Sequence, residues 1–532
     1  MARIILFILL LNHWNALAQI GSGYQVNLKP LNINGFDGIQ SFSAGQINGE
    51  WVLIGGRTDG LHRRQPPVTF LAAGNNQLIY VINPTTQQLW TASVNTLPTS
   101  LAEQLQSTNM QFSQRDNTLY LTGGYGYSAT ALDHITYDKL TAVKLDSLVW
   151  AIKNAQSIVP YFRQITDSRV AVTGGHLGRI GQTFYLVGGN KFDGRYNPMG
   201  GASYTQVYTN QIRKFEINDN GQTMSIGNYI AINDSQNLHR RDYNLLPQIF
   251  PGQVEGFTAF SGVFQYNVDL PYLNSVDITA TGHTVNNTFS QYLNHYHSAK
   301  CALYDSLSSE MQNVFFGGIS QYYDSAGIIV QNNDVPFTKA ITLVKRNSVG
   351  VMTENKIAEM PGYLGASAEF IINKNIPHTE HEIIRVDQIA VDSILIGYIV
   401  GGINSSAPLI FLTNTGTQSN PLSTIYEVWL KRSPSAVTAP VELSILTQFQ
   451  VYPNPSLGQL NVKFYNPGAS HADIRIKDAI GRSLAVYSLD HLQIGENLYS
   501  FNLPDHQTGS IFIELCCQEK CQTLQMLSRQ PK

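Results

Sequence analysis

Two copies of one phrase carry most of the chemistry this sequence offers: Leu61-His62-Arg63-Arg64 and Leu238-His239-Arg240-Arg241, each with a carboxylate nearby, Asp59 and Asp242. A guanidinium fork grips a carboxylate or sulfate through two parallel hydrogen bonds, and an imidazole beside a carboxylate is the usual acid–base pair. Arg57, Arg195, His295 and His297 add to the set, and Tyr125, Tyr127, Tyr196 and Tyr322 offer flat faces on which a sugar ring can stack. His62, His239, Asp59 and Asp242 are therefore the candidate proton-transfer residues. The remaining residues named here, with both histidines, form the candidate ligand-binding set. The same residues also have a plainer use, in which the arginines pair with Asp59, Asp193 and Asp242 to order long loops and the tyrosines pack between elements.

Familiar reaction motifs are missing. The chain holds no phosphate loop, zinc-protease helix motif, nucleophile elbow or calcium loop, which removes most common hydrolases. His295, Tyr296, His297 and Cys301 supply the residue types of a copper site. Cys301, however, should fall toward the far end of its strand, away from the histidines, so no metal or cofactor is expected. Lys+Arg 34 against Asp+Glu 37 gives a formal charge of −3, and charged residues make up 13% of the 532. A nucleic-acid partner is excluded on that balance, and 43% hydrophobic residues exclude disorder.

The elements that must position these side chains announce themselves by repetition. An apolar run ending in paired glycines recurs at Gly55-Gly56, Gly123-Gly124, Gly188-Gly189, Gly317-Gly318 and Gly401-Gly402, with a degenerate copy at Ser261-Gly262. Successive copies lie roughly 56 to 84 residues apart, the length of a four-stranded unit with generous loops. Glycine is required where a strand must leave with positive φ or let other backbone approach. After the first pair come Tyr80 and Trp90 on further strand-like runs, and this double glycine with a spaced Tyr and Trp resembles the kelch repeat. The resemblance implies an all-β fold, a six-bladed kelch-like β-propeller over residues 19–435. Its last blade takes a first strand from Glu369–Ile372 or from Ile384–Ile389, and its missing fourth strand from Tyr24–Leu31. On such a blade the segments after each glycine pair and the blade-to-blade connections share one rim, which is where the candidate residues fall.

The two ends of the chain speak about export. Arg3, an apolar run from Ile4 to Leu11 and Ala16-Leu17-Ala18 make residues 1–18 a signal peptide, and no later run is long enough to cross a bilayer in the mature chain. Residues 436–447 form a linker. Beyond it, Pro453-Asn454-Pro455 with Gly458, then Asp478 with Gly481-Arg482, and Leu492-x-x-Gly495-x-Asn497 resemble the C-terminal sorting domain of the Bacteroidetes type IX (Por) secretion system. That resemblance implies a small Ig-like β-sandwich over 448–532, handling by the type IX machinery, and a secreted or surface-attached product. Among Cys516, Cys517 and Cys521 a link across a hairpin and an unlinked cluster are both open, with one thiol left over in either case. Together these readings make the chain an exported propeller that binds a ligand, an acidic glycan or a surface protein, through an Arg/Tyr/His rim. The alternatives are an epimerase, mutarotase or lyase acting on acidic sugars, and a protein-binding scaffold.

Overall fold

The computed structural model describes residues 23–63, 68–197, 203–325, 328–432, 447–466, 471–493, 495–503, 509–517 and 520–528. The signal peptide, Arg64 and all but the last residue of the linker lie outside them. The fold is all-β and divides into two compact units, residues 1–433 and 434–532.

In the first unit six main sheets stand out, four of four strands and two of five; the glycine-pair copies follow the second strand of each, except Gly123-Gly124, which lies within Thr118–Ser128. They begin at Ser43–Ile47, Thr108–Arg115, His176–Ile180, Asn244–Phe250, Ala299–Asp305 and Glu369–Ile372. In the first five the four main strands pair antiparallel in sequence order, with Asp133–Thr136 added to the second, Ile384–Arg385 added parallel to the fifth, and a separate short hairpin interposed in the third and fifth. The sixth sheet takes its fourth strand from the other end of the chain. Tyr24–Leu31 pairs antiparallel with Ile425–Arg432, Tyr24 opposite Arg432 and Leu31 opposite Ile425. Of the two expected first strands, Glu369–Ile372 is the one that pairs in this sheet, while Ile384–Arg385 joins the fifth sheet beside Leu303 and Tyr304. Second strands such as Glu50–Ile54 are buried at every position, as expected of a strand covered on both faces.

The glycine pairs do what their chemistry suggests. Both members of every pair have positive φ, from 57° to 96° across the five true pairs, and Ser261 adopts the same conformation at 50°. The second residue of each pair donates its N–H to a carbonyl at the entrance to the next sheet. Gly56 donates to Ser107 at 2.9 Å, Gly124 to Val172 at 3.0 Å, Gly189 to Arg240 at 2.6 Å, Gly262 to His295 at 2.9 Å, Gly318 to Leu364 at 2.8 Å, and Gly402 to Ile39 at 2.8 Å. The last of these returns from the sixth sheet to the first. At Gly123 a Cβ would overlap the Val172 oxygen that Gly124 binds, so both glycines of this pair are needed for one contact.

A second closed set of bonds lies just inside the first. Ser41 N–H donates to Ser367 O, Ser367 to His297 O, His297 to Asp242 O and Asp242 to Gly174 O, at 2.7 to 2.9 Å. Thr173 Oγ1 then reaches Asn109 O at 3.4 Å, and Asn109 N–H returns to Ser41 O at 3.1 Å. One residue from the entrance of each sheet thus joins a ring, and Ser41, Asn109, Asp242 and Ser367 accept left-handed φ values of 48° to 56° to do so.

The second unit has a three-stranded sheet, ordered Thr447–Tyr452, Gln459–Asn466, Gly495–Asn502. Its four-stranded sheet is ordered Ser483–Asp490, His471–Asp478, Gly509–Cys517, Lys520–Ser528. Leu460, Val462 and Phe464 from one sheet and Ile474, Ile476, Ile511 and Ile513 from the other form one core. Cys516 and Cys521 are disulfide-bonded across the last hairpin, and Cys301 is the free, buried cysteine among the described residues.

Replacing Gly123 with Ala should destabilise the first unit by about 3 kcal/mol or more, because the left-handed penalty adds to a clash with a committed carbonyl. Gly49→Ala, at a hairpin turn with φ 79° and open space around it, should cost only about 1 kcal/mol. Urea unfolding of the two variants side by side measures the difference.

Candidate functional site

Above the hydrogen-bonded ring lies a cavity of about 550 Å³, built from the two kinds of segment the repeat brings together. Residues immediately after the glycine pairs contribute Arg57, Tyr125, Asn190, Ile319 and Ile403, and the ring contributes all six of its members. Phe70, Phe192, Tyr196, Phe264, Tyr296 and Phe411 supply aromatic walls. His62 stacks on Phe70 with ring centroids 4.8 Å apart and meets Tyr196 edge-on at the same distance. Burial lowers the His62 pKa to about 4, so this ring is neutral near pH 7, and its Nδ1 lies 3.0 Å from Arg63 O.

Of the expected ligand-binding residues, Arg57, His62, Tyr125, Tyr196, Arg241 and His297 line this cavity, and so does Asp242 from the proton-transfer set. Several of the expected residues, cavity-lining or not, spend their polar groups on the fold. Arg57 is 2% exposed and spends its guanidinium on both Asp59 oxygens, at 2.7 and 2.6 Å, and on Asn75 Oδ1 at 2.9 Å. Asp59 is accordingly held by Arg57 in a pair that braces its loop. Arg240 is 1% exposed, donates to Asn237 O, Ser261 O, Asn274 O and Asn274 Oδ1, and lies 3.9 Å over the Tyr272 ring. Burial draws its pKa down to about 10. The Leu-His-Arg-Arg repeat therefore does not place equivalent arginines: Arg63 packs on the backbone of Gly416, Arg240 is inside, and Arg241 reaches the cavity paired with Asp242 and bonded to Tyr208 Oη at 3.1 Å.

His239 stacks on Tyr208 at 3.6 Å and bonds Phe264 O at 2.9 Å, beside the cavity rather than in its wall. His295 is fully buried. Its Nε2 lies 2.8 Å from Gln291 O and its Nδ1 accepts from Gln321 N–H at 3.1 Å, an arrangement that requires the neutral ring, and burial lowers its pKa to about 4. Tyr125 turns its hydroxyl inward to Gly194 O at 2.8 Å. Tyr127 packs on His134 and Tyr322 on Tyr292, while Arg195 is half-buried and is not in the cavity wall. Sequence reasoning missed Phe70, Phe264, Phe411, Asp269 and Asp334, which arrive on loops with no motif of their own, and Asn109, at the start of the strand Thr108–Arg115. Asp269 and Asp334 make no side-chain hydrogen bond or ion pair among the described residues, so the unpaired charge at the mouth is negative while the arginines are neutralised.

The sorting-motif residues have structural duties that the geometry explains. Pro453 and Pro455 follow cis peptide bonds, and between them Asn454 Oδ1 accepts the Leu527 N–H at 2.9 Å. Ser456 N–H donates to Leu527 O at 2.8 Å and Ser456 Oγ accepts from Gly458 N–H at 3.2 Å, so this turn clasps the last strand, Lys520–Ser528. Asp478 accepts the N–H groups of Ile480 and Arg482 at 3.1 and 2.9 Å and the Arg482 Nε at 3.0 Å, around Gly481 at φ 82°.

Comparison with known proteins bears on both units. Residues 450–527 match the family described as the secretion system C-terminal sorting domain. The chain therefore carries a type IX sorting domain, which marks it for export to the cell surface or the extracellular space. No helix among the described residues is long and apolar enough to cross a membrane. No curated protein sequence matches. Among solved structures, YjhT is similar at 11% identity over 60% of this chain and 84% of that one, with a TM-score of 0.36. A fungal alcohol oxidase of the AA5 family in complex with copper is similar at 9% identity over 95% of this chain and 99% of that one, at 0.38. PorZ, a surface component of the type IX secretion system of Porphyromonas gingivalis, is similar at 9% identity over 95% of this chain and 100% of that one, at 0.13.

Two outcomes follow from this geometry. Because the His295 pKa drops from 6.5 to about 4 on folding, the unfolded state binds the extra proton between those values. Stability is full above pH 6.5 and falls by roughly 3 kcal/mol as pH drops to 4. Urea midpoints at pH 7, 5.5 and 4.5 should show a shallower fall in His295→Gln. Asn454→Ala should speed amide hydrogen exchange at Leu527 about fivefold, the loss of one backbone clasp worth about 1 kcal/mol.

Proposed function

We propose that the exported chain is a recognition protein. In this reading the six sheets are the blades of a kelch-type β-propeller over residues 19–435, the C-terminal unit is an Ig-like sandwich, and the mouth cavity binds a neutral or amine-bearing sugar. The closed set of glycine-to-carbonyl bonds running from sheet to sheet supports the propeller.

The observation that carries the ligand reading is the composition of the cavity wall. Tyr196, Phe70 and Phe264 offer faces for the apolar side of a pyranose, while Asn109, Asn190, Gln206 and the Arg241–Asp242 pair offer donors and acceptors for its hydroxyls. A volume of about 550 Å³ accommodates one or two such rings. The acidic-glycan form of the expectation loses its support, since Arg57 and Arg240 are spent on the fold and Arg241 is paired. The unpaired carboxylates of Asp269 and Asp334 favour an amino group over a second carboxylate.

A glycan panel probed with the purified chain tests this. Binding to neutral or amino sugars should weaken about tenfold in Tyr196→Ala, the worth of one stacking face, and should be nearly insensitive to salt for the neutral ligands. Salt-sensitive binding of acidic glycans lost in Arg63→Ala would restore an anionic rim. Absence of binding to every sugar would overturn the reading and leave a protein-binding scaffold.

A further inference from the structure

Beneath the ring the channel continues as a second chamber of about 280 Å³, walled by the first strand of each of the six sheets. Five ring residues, Ser41, Asn109, Gly174, Asp242 and His297, line both spaces, so the ring is a neck between them. Opposite the neck the chamber has a floor. Glu380, His381 and Glu382 come from the excursion after the sixth sheet's first strand, and they line the chamber. Glu380 pairs with Arg179 of the third sheet, and His381 Nε2 lies 3.8 Å from Glu255 of the fourth.

The wall of this chamber holds a lysine in an unusual situation. Lys300 makes no ion pair among the described residues, and its Nζ has one weak polar contact, Ser298 O at 3.4 Å. Around it stand His297, whose Nε2 is 2.9 Å from Glu369 Oε1, and His176, whose ring centre is 5.2 Å from that of His297. His176 is oriented by a 2.7 Å contact from Nε2 to Tyr243 O. We propose that the chamber is a carbonyl-binding site in which Lys300 condenses with a small aldehyde or ketone to form an imine, the His297–Glu369 pair carrying the protons.

The chemistry needs four things, each with a group in place. It needs an amine that gives up its proton more readily than a surface lysine: burial lowers the Lys300 pKa, with Glu369 opposing, and the deprotonated amine is the form that attacks carbonyls. It needs a proton relay, and the His297 Nε2–Glu369 Oε1 contact of 2.9 Å offers one. Burial above all holds the pKa of the neighbouring His176 well below the usual imidazole value. Beyond them the chamber wall carries Asp242, Glu382, His381 and the Arg179–Glu380 pair, which leaves Lys300 as the lysine lining it. It needs a defined space and a size limit, which the Glu380–Glu382 segment and the volume of about 280 Å³ supply.

In the step itself the nitrogen lone pair forms the C–N bond as the carbonyl π pair moves to oxygen. That oxygen takes a proton from His297, and the nitrogen returns one to it. His297 then gives that proton to the hydroxyl, which leaves as water while the nitrogen lone pair forms the C=N bond, giving the protonated imine with no change in oxidation state.

This inference is independent of the sugar reading, and its probe is a two-carbon aldehyde. The full chain is treated with glycolaldehyde and sodium cyanoborohydride at pH 7, digested, and the adduct on each lysine quantified by mass spectrometry. Lys300 should be labelled about tenfold faster than the exposed Lys191 and Lys374. Raising the pH to 8.5 should accelerate the exposed lysines steeply and Lys300 little. His297→Gln, if folded, should slow labelling at Lys300 about tenfold and leave the exposed lysines unchanged. Labelling of Lys300 no faster than at Lys191 in the unmodified chain would overturn the proposal without recourse to any variant, and an unaltered rate in folded His297→Gln would remove the proton relay.

Discussion

Six carbonyl oxygens, at Ile39, Ser107, Val172, Arg240, His295 and Leu364, hold the first unit together. Each lies a few residues before the first strand of a sheet or next to it, and each takes the N–H of the second residue of a glycine pair from the sheet before. Both partners are buried, so a missing member would strand a polar group at a cost of about 1–3 kcal/mol. At Gly123 the donor can approach only because its neighbour has no Cβ. The inner ring of Ser41, Asn109, Gly174, Asp242, His297 and Ser367 follows directly, since these residues lie two or three positions after the carbonyls. Their left-handed backbone is the strain that this closeness imposes.

That constraint explains why the site has the chemistry it does. Loops leaving a glycine pair and loops entering a sheet are brought to one place by the backbone bonds, whatever their side chains. The side chains then divide into those that brace long loops and those left to face the cavity. Arg57 and Arg240 brace, because a guanidinium with five donors can satisfy several loop carbonyls and carboxylates at once. What remains at the mouth is aromatic, amide-bearing and acidic. Below the neck the balance differs. The inward-facing positions of the first strands bring His176, Lys300 and Glu369 into one small space, where burial separates their protonation behaviour from that of surface groups.

The C-terminal unit uses a similar economy on a smaller scale. Its motif residues are turn-formers whose polar atoms satisfy backbone groups nearby or, at Asn454 and Ser456, those of the last strand. A sorting motif near the start of the domain is thereby tied mechanically to the segment at its end, with the Cys516–Cys521 link fixing the final hairpin.

The sequence by itself determined the repeat, the strand order and the export signals. Paired glycines, alternating apolar runs and turn residues are local requirements of backbone geometry, and local requirements are written where they act. It also placed the closing strand Tyr24–Leu31, because a sheet short of one strand has to be completed by the remaining β-like segment. It did not decide between Glu369–Ile372 and Ile384–Ile389, nor which rim arginines face a ligand. His62 and His239 follow the same phrase pattern yet occupy different surroundings, and Arg63 and Arg240, matched in sequence, end on a loop surface and in the interior. Those outcomes depend on which acceptors arrive from elsewhere in the chain: Asn274 for Arg240, and Asn75 joining the neighbouring Asp59 for Arg57. Only the tertiary structure supplies those partners, because a long side chain goes wherever its charge and its hydrogen bonds are best satisfied, and no local pattern encodes that.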